Sequence, residues 1–215
     1  MVDLKEFEQK AADLRVLGMK ISIGQDTVYE KYWDEDCRRN IYSASKSFTS
    51  CAVGFAVQEG LIDLDERLMD AFKEDIPNNP DENLKKATVK DLLTMTLGQE
   101  KGFLMGKQRP RMEEQNWVKA SLAIPFVYEP GTHFVYNNVG PYLAGILVQR
   151  RAGCDLLSYL TPRLLKPLGI RKTIWEVDPE GNTFGAGGLF LTVSELHKLG
   201  MFYLPVSYTH LRAHE

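Results

Sequence analysis

Two short patterns in the chain carry side chains able to do chemistry together. Ser43-Ala44-Ser45-Lys46 sets a hydroxyl and an amine three residues apart, a spacing that projects both from one face of a helix. From Ser43 to Glu59 the pattern turns helical, with Ala44, Phe48, Cys51, Ala52 and Phe55 on one stripe, which puts Ser43 at a helix N-terminus. Unpaired N–H groups and a partial positive charge there favour an oxyanion forming at the serine. A lysine desolvated in that apolar helix is pushed toward its neutral form and can take the serine proton. The second pattern is Tyr136-Asn137-Asn138. A tyrosine close to such a lysine can relay a proton to a leaving group, and an asparagine offers a donor and an acceptor to an amide-like substrate. The same residues allow a plainer account, in which Ser43 and Asn138 are helix N-caps, Lys46 is a solvated first-turn lysine and Tyr136 is half-buried.

The elements that must position these residues are readable from periodicity. Residues 3–17 form an amphipathic helix, and residues 18–23 and 27–33 form two strands joined by the turn Gly24-Gln25-Asp26. The helix from Ser43 has no charge between Lys46 and Glu59 and is expected to be largely buried, with Gly60 stopping it. Residues 61–170 read as helices with short connections. Thr88 caps one, with Gly98 beyond its end, and others cover 111–122, 139–151 and 155–166. On the helix at 139–151, Val139, Tyr142, Leu143, Ile146 and Leu147 form the apolar stripe. After Gly185-Ala-Gly-Gly188, the box Thr192-Val-Ser-Glu195 opens a helix to about Leu204. So few strands do not close a self-contained sheet.

Composition narrows the function classes. The chain has 215 residues, 44% hydrophobic and 26% charged, with net charge −3, the balance of an ordinary globular protein. Lys and Arg do not outnumber Asp and Glu, so nothing marks a nucleic-acid surface. No apolar run approaches a membrane span, and the charged start at Met1–Glu6 has no signal-peptide core behind it, so a cytoplasmic location is expected. Cys37, Cys51 and Cys154 are an odd number without a C-x-x-C and read as reduced thiols. No metal or cofactor is expected. There is no G-x-S-x-G, H-E-x-x-H, P-loop or G-x-G-x-x-G. His133 and His197 leave a Ser-His-Asp arrangement without support, and Gly185–Gly188 lacks the strand and lysine of a phosphate loop.

The order S-x-x-K then Y-x-N resembles the serine β-lactamase-related family, above all its class C-like branch of esterases, D-amino-acid peptidases and penicillin-recognising proteins. Ile41–Thr49, Thr88–Thr94, Glu129–Asn138, Lys166–Gly169 and Gly185–Leu189 with Thr192 carry the likeness, which runs from about residue 3 to residue 204. The resemblance implies an α+β fold of the β-lactamase/transpeptidase type, an antiparallel sheet with flanking helices beside a helical region (here about 61–170). It implies Ser43 as acylated nucleophile, Lys46 as general base, Tyr136 as proton relay and Asn138 as the residue contacting substrate and Lys46. The expected partner is a small ester or amide. The alternative is a penicillin-recognising sensor that turns nothing over. The family's third element, K-[ST]-G or H-x-G, has no match, since Ile174 follows Lys172-Thr173 where glycine would stand.

The last ten residues, Val206 to Glu215, read as a translated sequencing adapter, which removes His210 and His214 from consideration. On that reading the native sequence continues past Leu204 into the third element and a second oxyanion donor. The 215 residues as written are then expected to fold poorly and to be nearly inactive. If the tail is native, the protein is a genuinely short one.

Overall fold

The computed structural model describes residues 4–211, with side chains as far as Leu204. In chain order the elements are α1 (Lys5–Asp13), β1 (Gly18–Ile23), β2 (Asp26–Tyr32), β3 (Arg39–Asn40), α2 (Ser45–Gln58), α3 (Leu68–Ala71), α4 (Glu82–Lys86) and α5 (Val89–Thr94). Then follow α6 (Trp117–Leu122), α7 (Val139–Ala152), α8 (Leu156–Leu160), β4 (Phe190–Leu191) and α9 (Val193–Leu211). They group into two compact units, one of residues 1–40, 165–173 and 190–215, the other of 41–164 and 174–189.

In the first unit β1 and β2 form the expected antiparallel hairpin, with a register shift between Ile21 and Ser22. β3 and β4 pair over two residues each, Arg39 with Leu191 and Asn40 with Phe190. Runs so short leave no alternation to read. α9 opens on a reciprocal cap: Glu195 accepts from the Thr192 N–H while its own N–H donates to the Thr192 hydroxyl, both at 3.1 Å. Glu195 also receives Arg38 at 2.7 Å. The backbone of α9 continues past Leu204 to Leu211. The side chains of the suspected tail, His210 among them, and residues 212–215 lie outside the described residues.

The second unit is built around α7. Its residues Val139–Gln149 are all buried, so the expected stripe is instead a helix enclosed all round. Gly140 makes this possible: a Cβ there would fall 2.2 Å from the Leu92 carbonyl oxygen of α5. Trp117, Tyr142 and Phe184 meet edge-on or tilted at centroid distances of 5.7–6.3 Å, and the Tyr142 hydroxyl donates to buried Asp178 at 2.7 Å. In α2, Ser45, Phe48, Thr49, Ala52, Val53 and Ala56 are buried. Ser47, Ser50, Gly54 and Val57 are exposed, so the helix is half rather than largely buried.

Three helices are shorter than their sequence patterns. α1 ends at Asp13, short of the expected Leu17, whereas α5 stops at Met95 in a left-handed conformation (φ 57°) with Gly98 beyond its end, as expected. Of the expected 111–122 helix only its second half forms: a 3₁₀ turn, Arg109–Arg111, ends where it should begin, and α6 starts where Asn116 Oδ1 accepts the Lys119 N–H at 2.8 Å. α8 gives way to a π turn, Thr161–Leu165, because Pro162 has no N–H with which to continue the α ladder.

Candidate active site

Ser43 lies in a 3₁₀ turn, Tyr42–Ala44, that leads into α2. Ala44, not Ser43, occupies the N-cap position of α2, and no side chain caps it, which corrects the capping account of the serine. Tyr42, immediately before it, holds φ 48°, a left-handed conformation costing about 1–3 kcal/mol in a non-glycine residue. Ser45 points the other way, buried, with its Oγ accepting the Leu189 N–H at 3.1 Å. Lys46 is therefore carried one helical step past Ser43 on the same face, and its Nζ stands 3.1 Å from Ser43 Oγ.

The segment before α7 brings the second pattern to the same place. The Tyr136 hydroxyl donates to Ser43 Oγ at 2.7 Å, and Lys46 Nζ lies 5.2 Å from the Tyr136 ring centroid. Asn138 occupies the N-cap position of α7 but caps nothing. Its Oδ1 accepts from Lys46 at 2.8 Å and its Nδ2 donates to the Leu104 carbonyl at 2.9 Å. Asn137 takes over the capping, its Oδ1 accepting the Gly140 N–H at 3.1 Å. Leu104, like Tyr42, sits at positive φ, 55°.

A third partner of Lys46 comes from the glycine turn at 184–188. Its Nζ donates to the Ala186 carbonyl at 2.6 Å. Neighbouring carbonyls of this turn are also engaged: that of Gly185 by the Thr49 hydroxyl at 2.8 Å, that of Gly187 by Trp175 Nε1 at 2.7 Å, and that of Gly188 by the Glu176 N–H at 2.9 Å. The side-chain reading of the sequence offered no sign of Ala186, because a backbone acceptor leaves no residue type to recognise. The four glycine-rich letters at 185–188 were the only trace of it.

The electrostatics follow from this placement. Burial pushes the Lys46 amine below its ordinary value; the nearby Tyr136 phenol works against that and the Arg109 guanidinium adds to it. For Tyr136, burial pulls upward, but the Ser43 hydrogen bond and the Lys46 charge outweigh it and the phenol is held below its ordinary value. His133 stacks on Tyr128 at 4.2 Å and bonds Thr132, and His197 bonds Ser22; neither is a partner of Ser43. Cys37, Cys51 and Cys154 are unbridged. Among the described residues no cluster of His, Cys, Asp and Glu is suited to a metal, and no helix is long and apolar enough to cross a membrane.

A Ser-x-x-Lys pair at the entry to α2, a Tyr-x-Asn segment before α7 and a mixed α+β architecture define the class, and comparison with known proteins gives the family. The Beta-lactamase family matches residues 5–204, and the chain belongs to it. Over 157 residues it is 31% identical to monacolin J acid methylbutanoyltransferase of Aspergillus terreus, covering 64% of this chain and 37% of that one. Lovastatin esterase of Penicillium rubens is 31% identical over 150 residues, covering 60% and 37%. The octameric penicillin-binding protein homologue from Pyrococcus abyssi superposes with a TM-score of 0.75 at 22% identity, covering 95% of this chain and 57% of that one. The fold is thus of the β-lactamase/transpeptidase type, and the chain spans little more than a third of the length of the curated relatives it matches.

Proposed function

We propose that this chain carries the nucleophile, base and proton relay of a serine hydrolase that works through an acyl-enzyme on a small ester or amide. The observation that carries the reading is the set of partners around Lys46 Nζ. Two of them, the Ala186 carbonyl and Asn138 Oδ1, can only accept; the amide of Asn138 is fixed in this sense because its Nδ2 is committed to Leu104. A neutral amine has two N–H bonds and one lone pair. With both hydrogens given to the two acceptors, the lone pair is left for the third neighbour, the Ser43 hydroxyl at 3.1 Å.

The steps then balance without further groups. Ser43 passes its proton to Lys46 as Oγ attacks the substrate carbonyl carbon, and the N–H groups at the start of α2 favour the oxyanion. Collapse breaks the bond to the leaving group, which takes its proton from Tyr136, 2.7 Å from Ser43 Oγ. Tyr136 recovers a proton from the Lys46 ammonium. Water, or an alcohol acting as acceptor, then takes the acyl group from Ser43. That two relatives are named as an acyltransferase and an esterase supports esters ahead of amides.

The test is incubation of the purified 215-residue chain with an activated ester, followed by intact-mass and peptide mapping. A single acyl group on Ser43, absent in Ser43→Ala, is expected; turnover assayed alongside reads the expected weakness of this chain. Acylation that persists in Ser43→Ala refutes the assignment.

A further inference from the structure

Arg109 does not belong to either sequence pattern, yet it packs against the turn whose Ala186 carbonyl meets Lys46. Its Nη1 pairs with Glu176 at 3.0 Å and its guanidinium lies 4.2 Å from the centroid of the fully buried Phe184 ring. Phe184 and Gly188 are the two ends of the glycine turn. Glu176 ties both ends with its backbone, its N–H donating to the Gly188 carbonyl and its carbonyl accepting the Phe184 N–H, each at 2.9 Å. Its side chain lies across Gly188 so closely that a Cβ there would stand 2.5 Å from it, at a backbone φ of 81°. Between these ends the Ala186 carbonyl meets Lys46.

We propose that Arg109 is a positioning residue for Lys46: by gripping Glu176 and Phe184 at once it fixes the 184–188 turn from which the Ala186 carbonyl meets the amine. The inference rests on reading Lys46 as the base. The groups in contact with Lys46 are Ser43 from the turn before α2, Tyr136 and Asn138 from the segment before α7, and the Ala186 carbonyl from the glycine turn, while the Arg109 guanidinium acts on it through its charge. Of these only Tyr136 and Arg109 carry or acquire charge. They act oppositely: Tyr136 favours the ammonium, Arg109 the neutral amine. Glu176, by neutralising part of the Arg109 charge, limits that effect.

This gives a signature that a packing role lacks. Trace labelling of amines with acetic anhydride across a pH series, followed by peptide mass analysis, reports the neutral fraction of Lys46 whether or not the chain turns over substrate. In Arg109→Gln, labelling of Lys46 near neutral pH is expected to fall about two- to tenfold and to recover at high pH. Arg109→Lys, which keeps the charge, should restore much of it. Glu176→Gln should move labelling the other way, upward. Should Arg109→Gln unfold because Glu176 loses its guanidinium partner, the double variant Arg109→Gln/Glu176→Gln removes both charges and is expected to lower labelling too. A Lys46 profile unchanged by loss of Arg109, or shifted the same way by Arg109→Gln and Glu176→Gln, overturns the proposal. Failure of Ser43 to acylate, with these shifts intact, would instead count against the hydrolase reading alone.

Discussion

Replacing Asn138 by aspartate alters the charge beside Lys46 while nearly preserving shape. The aspartate keeps an acceptor at the position of Oδ1, 2.8 Å from Nζ, and adds a full negative charge. At about 3 Å and an effective dielectric of about 20, the attraction is about 5–6 kcal/mol. Desolvating the new carboxylate offsets part of this, and opposite charges this close shift a titration by about 1–3 pH units. The neutral fraction of Lys46 near pH 7 then falls about 10- to 1000-fold, and Ser43 acylation should fall with it. The loss should shrink about tenfold per pH unit on the alkaline side until the amine is again neutral. The variant also strands the Leu104 carbonyl, at a stability cost of about 1 kcal/mol. The assay is the rate constant for acyl-adduct formation by intact mass across a pH series. A drop of equal size at every pH would mean that Asn138 works through shape rather than through the charge of Lys46. An unchanged rate would mean that Lys46 is not the base.

Three further outcomes follow from the packing and the titrations. Gly140→Ala drives a methyl to 2.2 Å from a backbone oxygen that cannot rotate away, so urea denaturation should show a loss of about 3 kcal/mol or more; a loss under about 1 kcal/mol would mean that α5 and α7 separate easily. Tyr142→Phe removes a 2.7 Å donor from the buried Asp178 carboxylate, which keeps Asn182, and should cost about 1–3 kcal/mol. Because Lys46 is held below its ordinary value near 10.5, the unfolded chain binds more protons between the lowered and the ordinary value. Stability therefore rises with pH through that window. Lys46→Met should flatten this rise in urea titrations at several pH values, and an equal slope in both proteins would show that the amine is not depressed.

Features that announce themselves through residue type and spacing were legible in the sequence. The i, i+3 pair Ser43 and Lys46, the hairpin at residues 18–32, and the boxes at Thr88 and Thr192 all have local causes that survive folding. Asn138 shows where local reasoning divides, since its position is a cap but its amide is turned to Lys46 and Leu104. The 3₁₀ turn at Ser43 was hidden because its i, i+3 geometry looks the same as the first helical turn from spacing alone. The pairing of β3 with β4, the enclosure of α7 and the grip of Arg109 on Phe184 all depend on residues far apart in the chain. No window along the sequence contains both partners.

Lys46 is held by two acceptors that differ in how mutation can reach them. Asn138 Oδ1 is a side-chain atom, and one nucleotide change removes it or gives it a charge. The Ala186 oxygen belongs to the main chain, so no substitution at that codon can delete it. Drift can reach it only indirectly, through residues that move the turn, such as Gly188, Glu176 and Phe184. One half of the amine's surroundings is therefore open to single-step variation, and the other half is inherited with the path of the backbone.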